Sequence, residues 1–219
     1  VKTKDGEKKW GAQIICYGKK FTSIGYVGGL PGAGWKRGDK KIVKETTLRD
    51  DNSLVFKHEG GSAVVKNGRI QVLSEDGQVL AELKKVYRKS PTLGAKPPKG
   101  AVVLFNGKST DHWRGGKIVD KKYLGSTNCE SIDTFQDHKI HLEFRTPFMP
   151  TARGQARGNS GMYVHCRYEV QVLDSFGLDG KDNECGGIYS IAQPNVNMCL
   201  PPLSWQTYDV DFTAPRYKD

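Results

Sequence analysis

GNSGMYVHCRYEVQVLDSFG, residues 158–177, alternates twice with a period of two. Met162, Val164 and Cys166 alternate with Tyr163, His165 and Arg167; Val170 and Val172 then alternate with Glu169 and Gln171. Successive side chains on a strand point to opposite faces, so each run has one apolar and one polar face. Residues 140–145 repeat the pattern, with Ile140, Leu142 and Phe144 set against His141, Glu143 and Arg145. Three such strands predict a sheet with one face in a core. An ordinary half-solvated antiparallel sheet has the same period. The make-up of the polar face is what points further. It offers two carboxylates (Glu143, Glu169), an amide (Gln171), a guanidinium (Arg145), an imidazole (His165) and a phenol (Tyr163), which suits a polyol.

Around this stretch, 219 residues suffice for one large or two small domains. The 26 glycines and 10 prolines favour turn-rich β structure over helices. No apolar run is long enough for a transmembrane helix, so no membrane span is expected. The start, VKTKDGEKKW, has neither Met nor an apolar signal core, which fits an exported protein whose leader has been removed. The net charge of +10 is uneven: residues 1–100 hold 21 basic and 10 acidic side chains (+11), residues 101–219 hold 13 and 14 (−1). The basic half suits a solvated surface or an anionic matrix. Its lysines come singly or in pairs such as Lys8-Lys9, with no zinc-finger or recognition-helix pattern, so no sequence-specific nucleic-acid partner is expected. The five cysteines form no CxxC pair, which argues against structural zinc. Cys166, on the apolar side of its run, reads as a buried thiol.

In chain order, residues 1–89 read as a small basic β domain. Strands are expected from Gln13 and from Phe21, followed by the glycine-rich GGLPGAGW, which lacks phosphate-loop spacing and serves a tight turn beside Trp35. Asn67-Gly68 and Asp76-Gly77 separate SAVVK, RIQVL and QVLAELKKVY into a three-stranded meander. Residues 90–100, SPTLGAKPPKG, form a linker that Pro97-Pro98 keeps extended. Residues 101–219 form the second domain, opening with the strand AVVLF and the turn Asn106-Gly107. His138 and His141 lie three apart on a strand, hence on opposite faces, and do not make a metal pair. Residues 146–161 form a long loop made basic by Arg153 and Arg157, at the rim of the polar face. No cofactor is required; the one metal the residues suggest is calcium, through Asp179, Asp182 and Glu184, which lack EF-hand spacing.

NSGMY, YEVQVLDS, GGIY and PPLSWQTYDVDF, in this order after VVLFNGKSTDHWRG, closely resemble the 3-keto-disaccharide hydrolase family over about residues 101–219. The resemblance implies a concanavalin A-like jelly roll, an all-β sandwich, and a carbohydrate-related role. Family members continue with further strands, so the sandwich is expected to lack its C-terminal strands here. The family's cysteines imply a Cys185–Cys199 disulfide and an extracellular or periplasmic site. Asn159 in NSGMY and Tyr189 in GGIY join Glu143, Arg145, Tyr163 and Gln171 as expected sugar contacts.

EVQVLD also resembles, more distantly, the E-x-D-x-(x)-E motif of laminarinase-like glycosidases. Glu169 then matches the nucleophile and Asp174 approximates the acid/base, while Gln171 replaces the middle Asp. A retaining hydrolase needs two carboxyls ~5–5.5 Å apart, and these departures disfavour it. A 3-keto sugar asks for less. Its ketone acidifies the neighbouring C2 proton, a base removes it, the C1 substituent leaves, and water adds back. Glu169 is the expected base, Asp174 or His165 the expected donor. No nicotinamide fingerprint is present, so the ketone must be made elsewhere. A non-catalytic carbohydrate-binding module and a structural protein of an extracellular matrix, in which copies of the chain could associate, remain open beside this enzyme reading.

Overall fold

The computed structural model describes residues 2–3, 6–7 and 9–216; Lys8 of the expected Lys8-Lys9 pair and residues 217–219 of the final run lie outside them. The chain is all-β, built of antiparallel sheets, and a single 3-10 turn at Gly154–Ala156 is the only helical element among the described residues. It divides into two compact units. One joins Val1–Lys89 to Arg145–Gln206, the other Ser90–Phe144 to Thr207–Asp219.

The core of the first unit follows from alternation. Strands β1 (Trp10–Tyr17), β2 (Lys20–Val27) and β3 (Lys41–Thr47) form an antiparallel sheet. The period of two buries Gln13 and Ile15 of β1 and Thr22, Ile24 and Tyr26 of β2. The Tyr26 hydroxyl donates to Gln13 Oε1 at 2.6 Å, so neither buried polar group is left unpaired. Burial pushes that phenol up to about 12. GGLPGAGW turns tightly, as expected: Gly28 and Gly34 both have positive φ, and a Cβ on Gly34 would overlap the Gly28 carbonyl. The crossing delivers Trp35 edge-on to Tyr26, with ring centroids 5.3 Å apart. Strands β4 (Leu54–His58), β5 (Gly61–Lys66), β6 (Arg69–Ser74) and β7 (Val79–Lys84) make a four-stranded meander, the expected three strands with β4 added. Asn67 and Gly68, both at positive φ, form the two-residue turn suited to right-handed strand twist.

β8 (His138–Arg145) leads into the stretch that carries the polar face, and its side chains alternate as expected. β9 (Ser160–Val164) and β10 (Tyr168–Val172) then form a hairpin. Its register sets Tyr163 opposite Glu169 and Gly161 opposite Gln171, with Met162 and Val170 on the other face. Two expectations are corrected. β8 pairs with β11 (Trp205–Phe212) and not with β9, so no three-stranded polar face forms in that order. The alternation of 162–167 also stops early. His165 and Cys166 both lie at positive φ, and the Arg167 amide donates to the Val164 carbonyl at 3.1 Å. They are the central residues of a tight primed turn. His165 therefore leaves the strand face, and Cys166 is exposed instead of buried.

In the second unit, β8 and β11 carry the longest pairing. Trp113–Arg114 pairs with Glu130–Ser131, and Ile118–Val119 with Tyr123–Leu124. AVVLF is not a strand: no neighbour pairs with it among the described residues, and its Leu104 carbonyl accepts from the Trp113 indole at 2.8 Å.

Phe176 packs on the Ile15–Ile24–Tyr26–Trp35 core, and Gly177 follows at φ +83°, where a Cβ would stand 2.5 Å from Ile15 Cδ1. Gly177→Ala should lower stability by about 2–5 kcal/mol, combining left-handed strain with overpacking. Gly38→Ala, at φ +96° with nothing within 4 Å, carries the strain alone and should lower it by about 1–2 kcal/mol. Urea midpoints of the two variants check the difference.

Candidate functional site

Glu169 sits on β10 with its carboxylate folded over Gly161, where a Cβ would overlap Glu169 Oε1. The absent side chain at Gly161 is what lets the carboxylate lie there. Tyr163, directly across the hairpin, donates its hydroxyl to Glu169 Oε2 at 2.8 Å. That bond, followed by partial burial, pushes the phenol above its ordinary pKa, because a neighbouring carboxylate disfavours the phenolate. The Tyr189 amide donates to the Glu169 carbonyl at 3.0 Å. Tyr163 is 60% exposed and Tyr189 37%, so the two tyrosines that flank Glu169 in the backbone pairing are both open to solvent. Aromatic rings of this kind pack against the C–H face of a sugar and offer a hydroxyl at the edge.

Gln171 lies beneath this group, fully covered. Its amide has Gln155 Oε1 at 2.8 Å and Asn159 Oδ1 at 3.2 Å on one side. On the other are the Ser160 carbonyl at 2.9 Å and Glu169 Oε1 at 3.2 Å, and turning the amide over exchanges the two sets. The structure thus brings Glu169, Tyr163, Gln171 and Asn159 together with the Tyr189 backbone, but Gln171 supports Glu169 from behind and is not open to a ligand. Arg145 is exposed, its guanidinium 5.5 Å from the centre of the Trp205 ring.

Asp174 takes a different place from the one expected. Its side chain is wholly covered, and Oδ2 accepts from Nε of the equally buried Arg157 at 2.7 Å. Arg157 stacks on Tyr17 at 4.8 Å, and Arg153 stacks on the same ring at 4.0 Å. A carboxylate with no exposed surface cannot touch a substrate, so the donor role expected of Asp174 is not available from this position. His165, in the hairpin turn, is on neither strand face.

Two of the three acids considered for calcium are otherwise engaged: Glu184 Oε2 accepts from the Gly180 and Lys181 amides at 2.6 and 3.1 Å, and Asp179 pairs with Lys41. No group of three His, Cys, Asp or Glu converges as a metal site among the described residues. Cys185 and Cys199 are buried and reduced, so the expected disulfide is not formed in this structure. The Cys199 thiol is pushed well up, first by its hydrogen bond with Cys185 and then by burial.

Glu143 belongs to the second unit, in a cluster whose other members the sequence reading missed. His141 Nδ1 meets Asp209 Oδ1 at 2.7 Å, and its Nε2 lies 3.4 Å from Glu143 Oε1. Asp209 Oδ2 accepts the Thr92 hydroxyl at 2.5 Å, and the Gly94 amide donates to Glu143. The available signal was YDVDF, where Asp209 and Asp211 alternate with Val210 and Phe212. Asp209, and to a lesser extent Glu143, raise the His141 pKa; Thr92 first and then His141 hold the Asp209 carboxyl below its usual range. The raised imidazole stabilises fully below its unfolded value of 6.5 and loses that contribution as pH rises through its folded value. The depressed carboxyl stabilises above 3.8 and loses its contribution as pH falls through the folded value.

A family model described as a 3-keto-alpha-glucoside-1,2-lyase-like domain matches residues 100–218. Neither a curated protein nor a solved structure matches the chain.

Breaking the buried pair tests its role directly. Asp174→Ala should destabilise by about 3–5 kcal/mol, because it strands the Arg157 charge in the interior. Denaturant unfolding measures this; a variant of unchanged stability would return Asp174 to the list of functional acids.

Proposed function

This chain belongs to the 3-keto-alpha-glucoside-1,2-lyase-like domain family, and from that premise we propose that it cleaves 3-keto-glycosides at the outer face of the β9–β10 hairpin. A carbohydrate-related role comes with the family. What supports the finer reading is the single arrangement of Glu169 between two exposed tyrosines, cleared by Gly161 and bonded by Tyr163.

In the proposed reaction the ketone at C3 has already acidified C2–H. Glu169 takes that proton; the electron pair of the C–H bond becomes the C1–C2 double bond, and the C1–O bond breaks with its electrons going to the leaving oxygen. That oxygen takes a proton, and water adds to the enone to give the free keto sugar. Tyr163, whose hydroxyl already points at Glu169, is the nearest proton-bearing group and takes the donor role expected of Asp174 or His165. Its raised pKa keeps it protonated at neutral pH, as a donor must be. Arg145, Asn159 and Tyr189 remain proposed sugar contacts, and the jelly-roll topology of the family is proposed for residues 101–219. A carbohydrate-binding module without turnover would use the same two rings.

Export is proposed on the same family grounds, with the Cys185 and Cys199 thiols oxidised to a disulfide by exchange with a donor protein disulfide of the exporting compartment, which is reduced to its dithiol. Mass spectrometry of a non-reduced digest of the secreted chain should find the crosslinked peptides, and two free thiols there would remove the case for export.

Glu169→Gln keeps the shape and the acceptor from Tyr163 but cannot take a proton. Turnover of a 3-keto-disaccharide should fall by ~10²–10⁴ with the unfolding midpoint nearly unchanged. Wild-type turnover in this variant would place the base elsewhere. Sugar binding by the wild type without any turnover would select the binding module.

A further inference from the structure

We propose that Asp209, His141 and Glu143 of the second unit form a binding site for the hydroxyl groups of a neutral sugar, and that residues 90–94 of the same unit occupy it as an internal stand-in. The inference rests on the carbohydrate reading above and adds a second place where sugar is held.

The groups that fill the cluster indicate what it accepts. Two carboxylates project from β8 and β11, with one imidazole between them. Each carboxylate takes an uncharged donor from one short segment: Asp209 takes the Thr92 hydroxyl, and Glu143 takes the Gly94 amide. Among the described residues, no lysine or arginine is bonded to either. Two uncharged donors side by side are what a sugar presents through adjacent hydroxyls, which would replace the O–H of Thr92 and the N–H of Gly94 alike. A metal is a poor match, because His141 Nδ1 is directed at Asp209 and no three donors converge among the described residues. The side chains of His141, Glu143 and Asp209 are 33%, 34% and 52% exposed, so a ligand could reach all three.

The occupying segment is held in a way that allows it to lift. It belongs to no strand and consists of turns, with the Leu93 amide bonded to the Ser90 carbonyl and the Ala95 amide to the Thr92 carbonyl. Its anchors to the sheet are polar: the Thr207 amide donates to Ser90 Oγ at 3.1 Å, Thr92 bonds Thr207 and Asp209, and Gly94 bonds Glu143. Beyond it, residues 95–100 are exposed. Lifting the segment therefore breaks no sheet ladder, and the donors it withdraws are of the kind a sugar returns. The charged groups facing His141 are Asp209 from β11 and Glu143 on its own strand, with the Lys139–Asp211 pair alongside on the same two strands.

The experiment is a titration of the full chain with sucrose and with 3-keto-sucrose, following the His141 imidazole signals by NMR. A saturable shift at His141 is expected. Thr92→Val removes the competing hydroxyl without touching the carboxylates and should tighten binding by about 2–10-fold, the range set by one lost hydrogen bond. Asp209→Asn should weaken binding and bring the His141 titration midpoint down. A disaccharide carrying a uronate should leave His141 unmoved, because its carboxylate meets two others. Shifts confined to Tyr163 and Tyr189, with His141 silent, would overturn this site and leave the hairpin reading standing. Unchanged affinity in Thr92→Val would overturn the stand-in role. Absence of both binding and turnover with either sugar would remove the proposed function and this inference together.

Discussion

The buried pair of Arg157 and Asp174 fixes everything that lies between them. Charges taken out of water hold only if each meets an opposite partner in good geometry. Here the side chains meet at 2.7 Å, and the Asp174 amide returns to the Arg157 carbonyl at 3.1 Å. The chain between them is thereby closed into a loop, and the β9–β10 hairpin fills it. Arg157 also lies against Tyr17 at the end of β1, so the closed hairpin is tied to the first sheet. Where Glu169 and Tyr163 point follows from that closure and from the register it protects.

Three carboxylates of the first unit take three distinct environments. Asp174 is sealed and paired with a cation. Glu184 is spent on backbone amides that close its own loop. Glu169, by contrast, accepts from a phenol at the surface and is bonded to no cation among the described residues. A carboxylate needed for proton transfer must be reachable and not locked to a cation, and among these three Glu169 is the one that meets both conditions.

The local pattern made the strands legible, because burial on one face writes a period of two into the sequence. β1, β2, β8 and the meander could be read in that way, and Asn67-Gly68 announced its own turn. The hairpin turn at His165-Cys166 was not legible, since it adopts positive φ without Gly or Asn and the alternation runs on through it. Asp174 was misread for a different reason. Its motif suggested an acid at a surface, while its partner lies 17 residues away and its burial depends on tertiary packing. His141 was placed on the polar face of residues 140–145 and weighed for a role solely as a metal ligand with His138. Its actual partner, Asp209, is 68 residues distant and joins it only through the pairing of β8 with β11.

Phe176 lies against a core whose other members, Ile15, Ile24, Tyr26 and Trp35, come from the beginning of the chain. On a ribosome adding ~5–20 residues per second, the missing ring emerges roughly 7–30 s after them. During that interval the nascent sheet presents an unfinished apolar face to the cell. A holding chaperone that masks this face has its natural opportunity then, and release should be timed to synthesis of the segment that brings Phe176.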